Sequence, residues 1–327
     1  MRRYAFWLWL LLAAGLLALA PLALNEYWMR VASSVLMWVA MAEALNIILG
    51  FAGYPAFGNG AFLGVGGYTV AVLMNHGVGF WPALAASVLV PGLIATAIGV
   101  PVLRLRGHYF AIATIGVNFA LLSLIQNLGF TGGGSGLSVP LYPGSAEALS
   151  VMFFYLFAGL AVVSVVVTQL VRGSRLGYAI RAIQASEEAA AVMGINGTLY
   201  KVAAWVISAM LTGAAGGIYA YWNGYIEPVS MFDIVTSVKL FIMVLIGGAG
   251  TVVGPILGAV GIEVVSEYLW STLGGLHLAV LGLIILLAGV FVPRGLLSLR
   301  FWRRRGRGRD GAPTNRTWGV DEGGGAS

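Results

Sequence analysis

The sequence predicts an all-α polytopic membrane protein with about ten transmembrane helices, and three observations carry that reading. Mean hydropathy is +0.91 over 327 residues, of which 59% are hydrophobic and 9% charged. Apolar runs near the length that crosses a bilayer recur from one end of the chain to the other. They lack the short alternating segments that a membrane barrel needs. In hydrocarbon every backbone amide must find its partner inside the segment, so these runs are helices.

The runs occupy residues 6–24, 31–51, 56–74, 81–103, 109–128, 151–171, 202–222, 236–248, 255–270 and 277–292. The first follows Arg2 and Arg3 but has no small-residue cleavage site before Pro21 and Asn25, so it reads as a span and not a secretory signal. The second and third meet at Gly50-Phe51-Ala52-Gly53-Tyr54-Pro55-Ala56-Phe57-Gly58-Asn59-Gly60, which permits a tight re-entrant turn or a broken helix. The eighth and ninth meet in similar chemistry, Gly247-Gly248-Ala249-Gly250 to Gly254-Pro255, a weak internal echo. Small residues four apart, as in Gly60/Gly64, Gly213/Gly217 and Gly254/Gly258, read as close helix packing. Residues 129–150 form the one long loop on the outer face.

The basic residues set an orientation. With ten spans and the N-terminus inside, all of the 18 Lys and Arg except Arg30 and Lys239 fall on the cytoplasmic side. Both termini are then cytoplasmic, and the net charge of +6 reflects topology. The run Phe301–Arg309 is a basic juxtamembrane tail on anionic lipid and not a nucleic-acid site. The expected domains are a transmembrane unit over 1–300 and a basic, then Gly-rich, disordered tail over 301–327.

The polar interruption at 172–200 is the most informative segment. Ser186 is a good N-cap, and Glu187 and Glu188 favour the positive end of a helix dipole. Ala189, Ala190 and Ala191 are strong helix formers, and Gly194 suits the left-handed residue that ends a helix. A helix of about two turns is too short to stand alone in water. It is expected to dock in a groove on another protein, with a helix lying on lipid headgroups as the alternative.

At this point the chain resembles a known family. Glu187-x-Ala189-Ala190-x-x-x-Gly194 resembles the EAA-type coupling loop of ABC importer permeases. Ala44-Leu45-Asn46 with Gly50, Arg104-Leu105-Arg106-Gly107 and Thr131-Gly132-Gly133 look like the LivM-type permease subunit of branched-chain amino acid importers. So do Gly254-Pro255 with Gly258, and Pro293-Arg294-Gly295-Leu296. The resemblance implies a type II bundle like that of the vitamin B12 and ribose importers. It also implies a heterodimer with a sister permease, two cytoplasmic ABC ATPase subunits and an extracytoplasmic substrate-binding protein. The location is then a bacterial or archaeal cell (inner) membrane. Relatives often carry Gln-Leu-Ser-Leu-Gly-His where this chain has Tyr54-Pro55-Ala56-Phe57-Gly58-Asn59, and His108 replaces a more usual Pro or apolar residue.

The expected coupling residues are Ser186, Glu187, Glu188, Ala189, Ala190, Gly194 and Arg181. Intramembrane polar residues are costly and therefore functional candidates, which nominates Glu43, Asn46, Asn59, Thr114 and Asn118 as pore-lining. Glu263 is a further candidate by position, with interfacial water as the alternative for Glu263 and Glu267 near the outer end of their run. The sparse charge agrees with a zwitterionic or neutral substrate. A urea or short-chain amide importer, or an ion-coupled secondary transporter working through Glu43, remains as an alternative. No cofactor, metal set or catalytic constellation is expected. The chain has no Cys, no HExxH string and no P-loop, so ATP hydrolysis belongs to partners. Gly133-Gly134-Ser135-Gly136 matches an intramembrane serine protease string, but Ser135 lies in a loop and the histidines at span ends.

Overall fold

The computed structural model describes residues 2–105, 107–140, 144–273 and 282. Nine of the ten predicted runs lie on helices. The tenth, 277–292, falls outside the described residues except for Gly282, and the tail at 301–327 and Arg106 fall outside them entirely. Seven segments are long and apolar enough to cross a membrane: Phe6–Ala23, Glu26–Ala52, Phe80–Val102, His108–Asn127, Glu147–Gly173, Gly197–Asn223 and Pro228–Gly247. The other two runs fall on α3 and α12, introduced below, which do not meet both criteria.

Helix α1 (Arg2–Ala23) is apolar on all sides and stays at the periphery, with Trp9 and Leu22 exposed. Its described fastening is the Tyr155 hydroxyl donating to the Ala18 carbonyl. Helix α2 (Glu26–Ala52) is also apolar all round but forms the centre, buried almost continuously from Met37 to Ala52. Asn25 caps its start, and Gly53 ends it in the left-handed region, at φ 74°, donating to the Ile48 and Leu49 carbonyls.

The chain then climbs without helix through residues 54–58 before α3 (Asn59–Asn75) begins. Tyr54 is level with Lys201, whereas Asn59 already reaches Ser208 and Thr212. Seven residues of helix separate those levels, a rise of about 10 Å. The predicted break is therefore a non-helical lower half on a span whose helix has 17 residues. Helices α4 (Phe80–Val102) and α5 (His108–Asn127) follow. A loop with two 3-10 turns leads to β1 (Leu137–Ser138) and then α6 (Ala146–Gly173).

Two helices, α7 (Arg175–Ala185) and α8 (Glu187–Val192), join α6 to α9 (Gly197–Asn223). Strand β2 (Tyr225–Ile226) pairs antiparallel with β1 and closes the end opposite α8. One turn, α10 (Pro228–Met231), precedes α11 (Ile234–Gly247), so the eighth span is broken at Phe232–Asp233. Asn118 Nδ2 donates to the Phe232 carbonyl at 2.7 Å and satisfies that break. Helix α12 (Val253–Leu273) completes the described bundle.

Glycine allows the closest approach, between α3 and α9. A Cβ on Gly66 would lie 2.0 Å from the Gly213 carbonyl oxygen, and one on Gly216 equally close to that of Leu63. The paired glycines of the sequence behave the same way: Gly60 meets Ser237, Gly64 meets Phe232, and Gly258 meets the Met243 carbonyl. Arg104, Arg172, Arg175, Arg181 and Lys201 all sit at the α8 end, so the charge asymmetry is also a spatial one.

Candidate functional site: the α7–α8 elbow and its anchor

Local chemistry builds the elbow. Ser174 caps α7 by accepting from the Gly177 amide, and its hydroxyl donates to the Val171 carbonyl at the end of α6. Helix α7 buries Ala179, Ile180 and Ile183, spaced to share one face. That helix was not expected from the sequence, although its apolar spacing was available. Ser186 caps α8 by accepting from the Ala189 amide at 3.2 Å. Gly194 stops it at φ 79°, donating to the Ala191 carbonyl, while the Ile195 amide donates to Ala190.

The six residues of α8 split into two faces. Ala190 turns inward and is buried, whereas Glu188, Ala189 and Ala191 are exposed. At its tip Val192 is 89% exposed and Met193 68%, an apolar pair presented away from the bundle. Glu187 points inward. Lys201 Nζ lies 2.8 Å from its Oε1 and 3.0 Å from the Tyr54 hydroxyl, which itself donates to Glu187 Oε2 at 3.2 Å. The ammonium also sits 4.9 Å from the Tyr54 ring centre. Lys201 is only 2% exposed, so this charge is held by its partners. The triangle ties α8 to α9 and to the non-helical segment below α3.

The sequence nominated Glu187 but missed Tyr54 and Lys201. A lone lysine opening an apolar run was the available signal. Arg181 lies on the other side of the elbow, donating to the Gly177 and Arg172 carbonyls, and so pins α7 to the end of α6.

All five residues nominated for the pore are fully buried. Asn46 clamps the α11–α12 turn, accepting from the Gly250 amide at 2.9 Å and donating to the Thr251 carbonyl at 2.8 Å. The internal echo is thus a contact, since Gly50 packs directly on Gly250. Asn59 donates to Thr212 and accepts from Ser208. Thr114 donates to Ala111 within its own helix, and Asn118 bonds Phe232 as described above. Among the described residues, neither carboxyl oxygen of Glu43 has a hydrogen-bond partner, while its backbone carbonyl accepts from Thr168.

Glu263 does not reach interfacial water. It is buried, accepts from Ser34 at 2.8 Å and pairs with Lys239 at 2.6 Å, and Lys239 rests 4.3 Å from the Trp38 ring centre. An ion pair needs neighbours when removed from water, and α2, α11 and α12 supply them. Among the described residues, the bond shown for Ser135 is its carbonyl accepting from the Tyr225 hydroxyl.

Seven candidate spans, a glycine-packed centre and a polar end carrying an exposed helical elbow define a multi-pass membrane permease. The chain belongs to the family described as branched-chain amino acid transport system / permease component, which matches residues 27–289. It is similar to the high-affinity branched-chain amino acid transport system permease protein LivM of Salmonella typhimurium, at 32% identity over 88% of this chain and 74% of that protein. The LivM protein of Escherichia coli is 31% identical over the same shares. A probable branched-chain amino acid transport permease protein LivH of Methanocaldococcus jannaschii is 26% identical over 83% of this chain and 91% of its own length. No solved structure matches the chain significantly. The sequence-based family assignment therefore holds, and with it the role of an amino-acid transport permease component.

Proposed function

We propose that this chain is one of two sister permease subunits in an ATP-driven importer of branched-chain amino acids, worked through the α7–α8 elbow. The observation that carries this reading is the two-faced α8. Its outer tip, Val192 and Met193, is free of the bundle, while its inner residue Glu187 is locked to Lys201 and Tyr54. A lever needs both an external grip and an internal attachment.

In this reading the tip enters a groove on a cytoplasmic ABC ATPase, because small and adaptable apolar residues suit such a groove. The inward face of α8 then passes displacement to α9 and to residues 54–58, which hold the lower half of the α3 span. Two ATPase subunits hydrolyse ATP, since this chain has no P-loop. The bundle is of the type II kind with ten spans, and both termini are cytoplasmic. An extracytoplasmic binding protein delivers substrate to the end opposite α8. Glu43, Asn59 and Thr114 line the path in the open state of the pair of permeases. Substrate movement requires two states that grip α8 differently, or nothing is transmitted.

The test uses the full assembly in proteoliposomes. Gly194→Pro removes the amide that donates to Ala191 and imposes a φ near −65°, against 79° here. Transport and binding-protein-stimulated ATP hydrolysis should fall together, by about tenfold or more, in an assembly of normal stoichiometry. Normal transport by that variant overturns the lever. The natural chain has no Cys, so a single Cys at position 188 gives a clean labelling site. Labelling from the cytoplasmic side supports the orientation, and labelling from outside overturns it.

A further inference from the structure

A cavity of about 640 Å³ opens at the end of the bundle opposite α8. That volume lies in the range of roughly 300–1,000 Å³ common for small-molecule sites. Its walls come from three helices. Tyr27, Arg30 and Ser34 come from α2, Glu267 with its neighbour Ser266 from α12, and Trp222 from the end of α9.

Two of these groups carry opposite charge, yet they do not pair with each other. Among the described residues, the ion pairs are Lys201–Glu187 and Lys239–Glu263. The Arg30 guanidinium instead lies over the Trp222 ring at 5.6 Å, which fixes its position and leaves its N–H fork available. Glu267 accepts from the Tyr27 hydroxyl through Oε1, leaving Oε2 for another donor. A cation and a carboxylate thus line one cavity without pairing with each other.

One helical turn deeper, α2 and α12 meet through Ser34 and Glu263, and Lys239 of α11 closes on the Glu263 charge. The cavity therefore has a neutralised floor and an open charged mouth. A ligand carrying both charges satisfies both walls, whereas a purely anionic or cationic one satisfies a single wall and meets the other as a like charge. Val31 and the Trp222 ring leave apolar lining beside the charges.

We propose that this cavity is a transit site for zwitterionic α-amino acids, in which Arg30 takes the carboxylate and Glu267 the ammonium. The proposal rests on the importer reading, because it places the site where a delivered substrate would enter. A planar guanidinium matches a carboxylate by two parallel hydrogen bonds. A partly open, hydrated mouth keeps each contact weak, as passage requires.

Saturation-transfer NMR on the assembled permease–ATPase complex, without binding protein, suits such weak binding. The probes are L-leucine, 4-methylpentanoate without the ammonium, 3-methylbutylamine without the carboxylate, and O-phosphoethanolamine as a lipid-headgroup zwitterion. L-Leucine should give a saturable signal, and each half-molecule should need about tenfold more ligand, equivalent to about 1.4 kcal/mol. Arg30→Gln and Glu267→Gln should each raise the half-saturating concentration of leucine about tenfold, while Arg30→Lys, which keeps the charge but loses the planar fork, should fall between the wild type and Arg30→Gln. Equal signals from all probes, or variants that bind leucine as the wild type does, overturn the site. A signal from O-phosphoethanolamine with leucine silent also overturns it in favour of a headgroup. Leucine uptake by the complete wild-type assembly is measured in parallel. Its absence sinks the importer reading, whereas uptake with unaltered variants sinks this site alone.

Discussion

Lys201 and Glu187, fourteen residues apart and on different helices, close to 2.8 Å at the point where the exposed elbow meets the bundle. The Tyr54 hydroxyl bridges them, accepting from the ammonium and donating to the carboxylate. A coupling element and the non-helical half of a span therefore share one hydrogen-bonded triangle. The triangle answers a mechanical problem, because a six-residue helix has too little internal stability to transmit force unaided.

The triangle should be more sensitive to loss of one charge than of both. Glu187→Gln leaves Lys201 buried beside a neutral partner, a change expected to destabilise the subunit by about 3 kcal/mol. Glu187→Leu combined with Lys201→Met removes both charges together and should be markedly less damaging. Thermal unfolding of the purified assembly measures both. A double variant less stable than either single one contradicts the pairing.

The α3–α9 contact makes a sharper structural prediction. In Gly66→Ala the new methyl would meet the Gly213 carbonyl at 2.0 Å, and backbone cannot rotate away as a side chain can. The helices must separate, which forfeits packing along their length. Gly66→Ala and Gly216→Ala should each abolish stable assembly, whereas Gly116→Ala, which meets nothing within 4 Å, should be silent. Yield and monodispersity on size-exclusion chromatography report the difference.

Asn46 should act as a fastener of the α11–α12 turn. Asn46→Leu leaves the Gly250 amide and the Thr251 carbonyl without their partner, a loss of about 1–3 kcal/mol for each buried group. Asn46→Asp keeps the acceptor for Gly250 but loses the donor to Thr251, so its effect should be intermediate in ordering. Hydrogen exchange at Gly250 should accelerate in Asn46→Leu and less in Asn46→Asp. Unchanged protection at Gly250 in Asn46→Leu would refute the clamp.

Capping chemistry made α8 legible in the sequence, because Ser186 and Gly194 are local signals that need no tertiary context. Apolar run length likewise located nine of the described helices. Depth was not legible. Nothing in Tyr54-Pro55-Ala56-Phe57-Gly58 says that the chain climbs without helix beside α9, since that follows from where Ser208 and Thr212 lie to receive Asn59. The partner of a buried charge was equally hidden. Glu263 reads as interfacial from its place near a span end, and only the packing of α11 against α12 brings Lys239 to it.

Glu43 provides the remaining prediction, and it runs against the usual effect of a core substitution. Its side chain is fully buried on the central helix, and neither carboxyl oxygen has a hydrogen-bond partner among the described residues. A polar group of that kind taken from water without compensation destabilises the fold. The Ser164 hydroxyl on α6 is buried and has no partner among the described residues either, so the α2–α6 contact carries unpaired polar atoms. Glu43→Met keeps nearly the same length with no polar oxygens, and it should raise stability by about 1–3 kcal/mol. Thermal unfolding of the assembly measures this directly, and a lower midpoint would show that the carboxyl is satisfied in the assembled protein. Transport by the same variant adds a second reading. A stabilised assembly that no longer moves substrate would mark Glu43 as a group exposed to the path in another state, whereas intact transport would leave it a destabilising passenger of the α2–α6 interface.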